Sequence, residues 1–254
     1  MKIFIKNHWQ IILPQILVII AFVVFAGKFG DSMVDSYREL YIPQQMLSRK
    51  ALYKDIFVIY PPLAYIINAF ILKIFENINS LCFAGLLSTL GILFYTYKVA
   101  ENFLRKPYPL GICLFLISTL VLSPNVFNSF LPYSYGITYG ILFALISTYF
   151  VLKEKLPLSY LFCSLAVLCK YEFFLLLPVL IFWTRKKDWQ KNILTFITPI
   201  ILTGITLYVQ GTRIESLKIT LDIISTMGQT KTLHWFYSVM GLSFRPEHLP
   251  IYIS

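Results

Sequence analysis

The chain has 254 residues, of which 57% are hydrophobic and only 13% are charged, and its mean hydropathy is +0.71. Soluble domains carry about a quarter charged residues, so this composition disfavours a water-soluble enzyme, a nucleic-acid module and a secreted scaffold. The formal net charge is +10, but most basic residues lie in short clusters between apolar stretches, as membrane topology requires.

Apolar runs without charges predict an all-α, polytopic membrane bundle. A helix needs about 20 apolar residues to cross a hydrocarbon core of about 30 Å. Single runs of that kind are residues 9–27, 77–97 and 192–212. Residues 107–152 carry no charge and are long enough for two spans, which we expect to be joined by a turn within residues 123–132, where proline and asparagine cluster.

The distribution of lysine and arginine predicts the orientation, because cytoplasmic loops collect these residues. Four clusters are therefore placed in the cytoplasm: Lys2/Lys6, Lys98/Arg105/Lys106, Lys153/Lys155 and Arg185/Lys186/Lys187/Lys191. The chain is then an integral protein of the cell (inner) membrane with a cytoplasmic N-terminus, and residues 28–61 form an outer loop. With all four clusters in the cytoplasm, residues 9–27 cross outward and residues 77–97 cross back, so this parity of crossings leaves none for residues 56–72. We expect residues 56–72 to lie along the outer interface; a short span is the alternative.

Residues 156–183 are flanked by basic clusters on both sides, so we expect them to leave the cytoplasm and return as a helical hairpin. The arms would be residues 156–169 and 173–184, each covering only about 20 Å at 1.5 Å per residue. Lys170 and Glu172 would then lie at the tip, where charged groups face an aqueous cavity or each other. A Lys–Glu pair that only locks the hairpin, or one long tilted helix, are the alternatives.

The outer loop is the richest polar stretch of the chain. Ser32 and Asp35 form the pattern of a capping box, with Ser32 as the N-cap, and Pro43 limits a helix downstream. The sequence therefore predicts a short helix over residues 33–42.

One face of this predicted helix carries Asp35, Arg38 and Glu39, at positions i, i+3 and i+4. A carboxylate there can accept a proton from a hydroxyl or amine nucleophile, and a guanidinium can hold an anionic phosphate. The alternative is a helix cap with an ordinary ion pair.

Four stretches in this order resemble the GT-C class of membrane glycosyltransferases. The closest likeness is to protein O-mannosyltransferases and to the bacterial aminoarabinose and related lipid-linked sugar transferases. The stretches are DSYRE at 35–39, LYKD at 52–55, YPPLAY at 60–65 and LAVLCKYE at 165–172. The resemblance implies a GT-C fold with interfacial helices in the first outer loop. It also implies inverting transfer of a sugar from a polyprenyl-phosphate-linked donor to an acceptor hydroxyl or amine on the outer face.

The resemblance also implies roles for individual residues. Asp35 matches the catalytic base or substrate-orienting carboxylate, and Glu39 would be a second acid that orients the acceptor or an optional metal. The expected donor-binding residues, for phosphate and sugar together, are Arg38, Lys54, Tyr60, Lys170 and Glu172. Sugar rings favour flat aromatic neighbours, so tyrosines on the outer side are candidates to contact the sugar; interfacial anchoring is the alternative. The tyrosines expected on the outer side are Tyr37, Tyr41, Tyr53, Tyr60, Tyr65, Tyr133 and Tyr135.

The expected partners are the polyprenyl-phosphate sugar donor, a lipid, glycan or protein acceptor, and membrane lipids, with no nucleic acid, no cofactor and no predicted metal. Residues 1–212 form the expected membrane core, and residues 213–254 an outer or interfacial segment without an assigned role. Relatives of this type continue through further spans, so we expect a truncated N-terminal part. The alternatives from other classes are a transporter or lipid flippase that uses Lys170 and Glu172 as a gated charge pair, and a non-catalytic membrane scaffold.

Overall fold

The computed structural model describes residues 2–25, 35–122, 129–132, 134–184 and 188–227. Within these ranges the regular structure is helical, and the only β pairing is a single bridge between Leu52 and Ile56. The prediction of an all-α fold is therefore confirmed for this part of the chain.

The helices follow one another with short connections. They are α1 (Lys2–Phe25), α2 (Asp35–Leu47), α3 (Leu63–Phe75), α4 (Ile78–Ala100), α5 (Tyr108–Leu120), α6 (Tyr135–Leu152), α7 (Leu156–Cys169), a 3₁₀ segment (Tyr171–Leu175), α8 (Leu176–Thr184), α9 (Trp189–Val209) and α10 (Ile214–Met227). By length and composition, α4, α6 and α9 could cross a membrane, whereas the apolar part of α1 and helices α3, α5 and α7 are shorter. Many large apolar side chains of α1, α8 and α9 are exposed on the bundle surface, as expected for lipid-facing helices.

Contacts between helices establish which ends of the bundle lie together. The Tyr97 hydroxyl of α4 donates to Gln10 Oε1 of α1 at 3.2 Å, so the end of α4 lies beside the start of α1. Near the other end of α1, the ring of Phe22 packs edge-on against Phe130, with ring centroids 5.1 Å apart. The backbone of Phe130 in turn runs against Gly85, near the start of α4. Helices α1 and α4 are therefore antiparallel.

Helix α6 runs parallel to α4. Near their starts, the Tyr135 hydroxyl donates to the Leu81 carbonyl at 2.7 Å, and near their ends the rings of Tyr95 and Tyr149 lie 5.5 Å apart. Both helices therefore begin at the end of the bundle where α1 finishes.

The hairpin and α9 complete the arrangement. Helix α7 runs antiparallel to α6, since Ser147 Oγ donates to the Ser159 carbonyl at 2.8 Å. The end of α8 returns to the start of α7, where Tyr160 and Thr184 share a 3.2 Å hydrogen bond. Helix α9 starts there and finishes at the opposite end of the bundle, where the residues after it contact the outer loop.

The bundle thus has two chemically different ends. At one end, called the basic end, lie the helix termini and short connections that carry Lys98, Arg105, Lys106, Lys153, Lys155 and Lys191. The loop end carries residues 51–62 and the hairpin tip. The described basic clusters therefore share one end, as the parity argument requires. Helix α3 begins and finishes at the loop end, because it connects the loop to the start of α4, which agrees with a helix that lies at the interface and does not cross.

The structure corrects the predicted extent of the loop helix. Helix α2 runs through Pro43 to Leu47 and does not stop at residue 42. A proline inside a helix removes one backbone hydrogen bond, but Ile42 and Met46 pack against the buried side chains of Leu52 and Tyr53. Burial of these apolar side chains outweighs the missing bond. The proposed N-cap residue Ser32 lies outside the described residues.

The predicted hairpin is confirmed. Its first arm is α7, its second arm is the 3₁₀ segment followed by α8, and Lys170 at the bend has an extended backbone (φ −157°, ψ 132°). A single long tilted helix over residues 156–183 is therefore excluded. Residues 107–152 likewise form two helices, α5 and α6, and the described parts of the connection, residues 121–122, 129–132 and 134, are not helical.

The opposite placement of the two ends gives a test of sidedness. Lys54 at the loop end and Lys106 at the basic end are both exposed, and the four native cysteines are buried. In intact cells we expect Lys54→Cys to react with a membrane-impermeant maleimide and Lys106→Cys to react only after permeabilisation. Labelling of Lys106→Cys alone in intact cells would invert the assigned orientation.

Candidate functional site

A tight turn at residues 51–56 organises the loop end. The Asp55 amide donates to the Ala51 carbonyl and the Tyr53 amide to the Ile56 carbonyl, each at 2.9 Å. Tyr53 has a φ of 67°, a left-handed conformation that a non-glycine residue keeps only when its surroundings hold it there. Thr212, just after α9, supplies one such restraint by donating its hydroxyl to the Leu52 carbonyl at 2.6 Å.

The side chain of Tyr53 supplies a second restraint. Its hydroxyl donates to the Tyr60 carbonyl at 2.7 Å, and it interacts with the side chain of Tyr171 at the hairpin tip. Burial is the main cause that raises the pKa of Tyr53 far above its usual value, so the phenol stays protonated. The loop is therefore fastened to both the hairpin and the end of α9.

Arg38 projects from α2 into a cluster of three groups. Its Nη2 lies 3.4 Å from Glu39 Oε1, and its guanidinium lies 5.0 Å from the centre of the Tyr60 ring. The guanidinium also interacts electrostatically with the phenol of Tyr65. Glu39 is only 1% exposed, whereas the Arg38 side chain keeps 26% of its surface accessible. The carboxylate thus lies behind the guanidinium and holds it from the protein side.

Tyr65 is a neutral member of this cluster. Burial is the largest cause that raises its pKa far above the usual range, and the negative charge of Glu39 adds to the effect. Because the phenol does not ionise at physiological pH, it contributes a polar neighbour for Arg38 without adding a second negative charge.

In front of Arg38 lies a cavity of about 350 Å³. Its lining residues are Tyr37, Arg38, Tyr41, Ile42, Gln45, Lys50, Asp55, Ile56 and Phe57. Tyr37 and Tyr41, one helical turn apart on α2, stack with ring centroids 5.9 Å apart and planes inclined by 21°, and both are exposed. The cavity therefore combines cationic groups with a flat aromatic wall.

This combination suits a ligand that carries both an anion and a ring. A guanidinium forms strong, directional hydrogen bonds to phosphate oxygens, and the exposed tyrosine pair offers an apolar face to a sugar ring. Lys50 adds an ammonium group, while Gln45 and Asp55 add hydrogen-bonding groups for hydroxyls.

The site residues predicted from the outer loop differ in whether they line this cavity. Arg38 lines the cavity and Tyr60 supports it from below, but Glu39 is buried against Arg38 and does not line the cavity. Lys54 is exposed and also lies outside the lining residues. Helix α2 begins at Asp35, whose side chain lies outside the described residues.

The charged residues of the hairpin tip pair with each other. Lys170 Nζ lies 3.2 Å from Glu172 Oε1, and neither residue lines the cavity in front of Arg38. This geometry agrees with the alternative of a pair that locks the hairpin. The tip still reaches the loop, but it does so through Tyr171, which contacts Tyr53.

The tyrosines predicted on the outer side fall into two groups among those that the structure describes. Tyr37 and Tyr41 line the cavity, whereas Tyr53, Tyr65 and Tyr135 are buried and serve as internal hydrogen-bonding or packing groups. Their assignment as sugar neighbours is therefore corrected. Tyr133 lies outside the described residues.

Sequence reasoning missed Gln45, Lys50 and Asp55 as members of one site. A helix continued through Pro43 would have placed Gln45 one turn beyond Tyr41 on the same face, so that signal was present. The contact of Tyr53 with Tyr171 joins residues over a hundred positions apart in sequence and left no local signal.

The described residues contain no group of three or more His, Cys, Asp or Glu side chains that could hold a metal ion. No family model, curated protein or solved structure matches this chain. The function is therefore argued from the chemistry of the cavity.

The Arg38–Glu39 pair makes an asymmetric prediction for stability. Arg38→Gln removes a cation beside a fully buried carboxylate and should cost about 3–5 kcal/mol. Glu39→Gln leaves a guanidinium that water still reaches, so it should cost less, about 1–3 kcal/mol. Thermal unfolding in detergent of both variants and of the double variant measures this order. Equal costs that add in the double variant would contradict a direct pairing.

Proposed function

We propose that this chain is a membrane glycosyltransferase that moves a sugar from a polyprenyl-phosphate-linked donor to an acceptor hydroxyl or amine. The observation that carries the proposal is the cavity at the loop end, in which a fixed guanidinium stands beside a stacked pair of exposed tyrosines. The GT-C resemblance of the sequence points to the same chemistry.

The leaving phosphate is the group that Arg38 would hold. As the bond between the sugar and the phosphate breaks, negative charge grows on the phosphate oxygens, and a preorganised cation stabilises that charge. Glu39, Tyr60 and Tyr65 restrain the guanidinium before the donor arrives. In this proposal Glu39 is a positioning residue for Arg38.

The sugar would lie against Tyr37 and Tyr41. The apolar face of a pyranose or furanose ring packs on an aromatic plane, while Gln45 and Asp55 offer hydrogen bonds to its hydroxyls. The polyprenyl tail needs an apolar surrounding, which lipid beside the bundle would supply; the exposed apolar side chains of α1, α8 and α9 suit contact with lipid.

We further propose that the basic end faces the cytoplasm and the loop end faces outward, with the chain in the cell (inner) membrane. The described residues of the predicted cytoplasmic clusters, among them Lys98, Lys106 and Lys153, share one end of the bundle, which supports this orientation. The acceptor would then be a lipid, glycan or protein at the outer surface. By resemblance, Asp35 remains a candidate for the carboxylate that serves the acceptor.

The placement of the hairpin charges does not favour a transporter. Lys170 and Glu172 lie at the end of the hairpin, and the Glu172 side chain is 67% exposed. A gated charge pair of a transporter would lie near the middle of a pathway. A scaffold, in turn, needs no cavity of this composition.

Binding of farnesyl phosphate, a short polyprenyl phosphate, tests the proposal in lipid nanodiscs. We expect Arg38→Lys to weaken binding about tenfold, because lysine keeps the positive charge but lacks the paired N–H donors of the guanidinium. Farnesol, which lacks the phosphate, should bind no more tightly to the wild-type chain than to the variant. Lys73→Ala is the matched control, since Lys73 is exposed at the loop end and outside the cavity.

The transferase reaction itself is measured by the release of farnesyl phosphate from its mannose, glucose and arabinose esters in membranes that contain the chain. Release above that of membranes without the chain is expected for at least one sugar. Equal affinity of the wild-type chain and Arg38→Lys for farnesyl phosphate would contradict the assigned phosphate site.

A further inference from the structure

We infer that Asp55 is the carboxylate that takes the proton of the acceptor, an assignment that rests on the proposed function. Among the described residues, Asp55 is the one acidic residue that lines the cavity in front of Arg38. Glu39, the nearest alternative on α2, is buried against Arg38 and does not reach the cavity lining.

The loop holds the Asp55 side chain in a defined position. Its Oδ2 accepts a hydrogen bond of 2.8 Å from the Ala51 amide, across the turn whose backbone bonds are given above. Within the part of the chain that the structure describes, the second carboxylate oxygen accepts no hydrogen bond. One oxygen therefore fixes the carboxylate and the other is available to a proton donor.

The turn that carries Asp55 is anchored on both sides. Thr212 holds the Leu52 carbonyl, and Tyr171 holds the side chain of Tyr53. General-base catalysis needs a carboxylate whose position is set before the substrate binds, because misplacement by an ångström is costly. Anchoring by two distant segments meets that requirement, which an unrestrained surface loop would not.

The reaction balances with Asp55 in this role. The oxygen or nitrogen of the acceptor forms a bond to the anomeric carbon, and the bond from that carbon to the phosphate oxygen breaks. The phosphate leaves with the bonding electron pair and is held by Arg38. The proton of the acceptor passes to the Asp55 carboxylate, which needs no further reactant.

Asp55→Asn separates this role from a structural one. The amide oxygen of asparagine can still accept the hydrogen bond from Ala51, so the turn should keep its shape. We expect release of farnesyl phosphate from the glycosyl esters to fall at least about a hundredfold, because the base is lost. Binding of farnesyl phosphate itself should become about threefold tighter, because a negative charge near the phosphate is removed.

Two controls accompany this variant. Glu76→Gln neutralises another exposed carboxylate at the loop end, outside the cavity, and should leave both release and binding unchanged. Asp55→Cys, if its turn keeps its shape, should react with an impermeant maleimide, and farnesyl phosphate should slow that reaction. Lys73→Cys, outside the cavity, should react at the same rate with and without farnesyl phosphate.

The outcomes distinguish this assignment from the proposed function. Release by Asp55→Asn at the wild-type rate would overturn the role of Asp55. Loss of release in Asp35→Asn but not in Asp55→Asn would overturn it too, and both results leave the transferase proposal standing. No protection of Asp55→Cys by farnesyl phosphate, when the wild-type chain binds it, would also overturn the role. Absence of release from every glycosyl ester by the wild-type chain would contradict the proposed function, and the role of Asp55 with it.

Discussion

The contact between the buried Glu39 carboxylate and the Arg38 guanidinium is the interaction on which the candidate site depends. A carboxylate this deeply buried is costly unless a cation lies beside it, so the pair fixes the direction in which the guanidinium faces. Tyr65 and Tyr60 restrain it further, through an electrostatic interaction with the phenol of Tyr65 and through the aromatic ring of Tyr60. The result is a cation that is held from within and open to the cavity, which suits an anionic ligand at the membrane surface.

The cavity also depends on distant parts of the chain. The turn at residues 51–56 forms one wall, and its shape is held by Thr212 after α9 and by Tyr171 at the hairpin tip. Helix α9 and the hairpin both extend between the basic end and the loop end. The position of the turn therefore depends on how these helices pack in the bundle, through these two contacts. The turn at residues 51–56 is therefore part of the folded core at that end, although it lies in the most polar stretch of the sequence.

Much of the architecture could be predicted from the sequence because hydropathy and charge report directly on the bilayer. The hairpin at Lys170 is predictable from arm length and flanking charge, and so is the placement of both ends of α3 at one end of the bundle. The site was harder. A predicted helix end before Pro43 leaves out the part of α2 that carries Gln45. Local propensity carries no information on the packing of Ile42 and Met46, which keeps this part helical. The resemblance assigns Lys170 to the donor phosphate, whereas in the structure Lys170 pairs with Glu172.

Photo-crosslinking tests most directly whether this cavity holds a polyprenyl phosphate. The wild-type chain in native membranes would be irradiated with a polyprenyl phosphate that carries a diazirine next to the phosphate, and the labelled peptides identified by mass spectrometry. The account predicts labelling within residues 37–57, reduced by excess unlabelled lipid phosphate. Labelling confined to the basic end, around α8 and the start of α9, would contradict it.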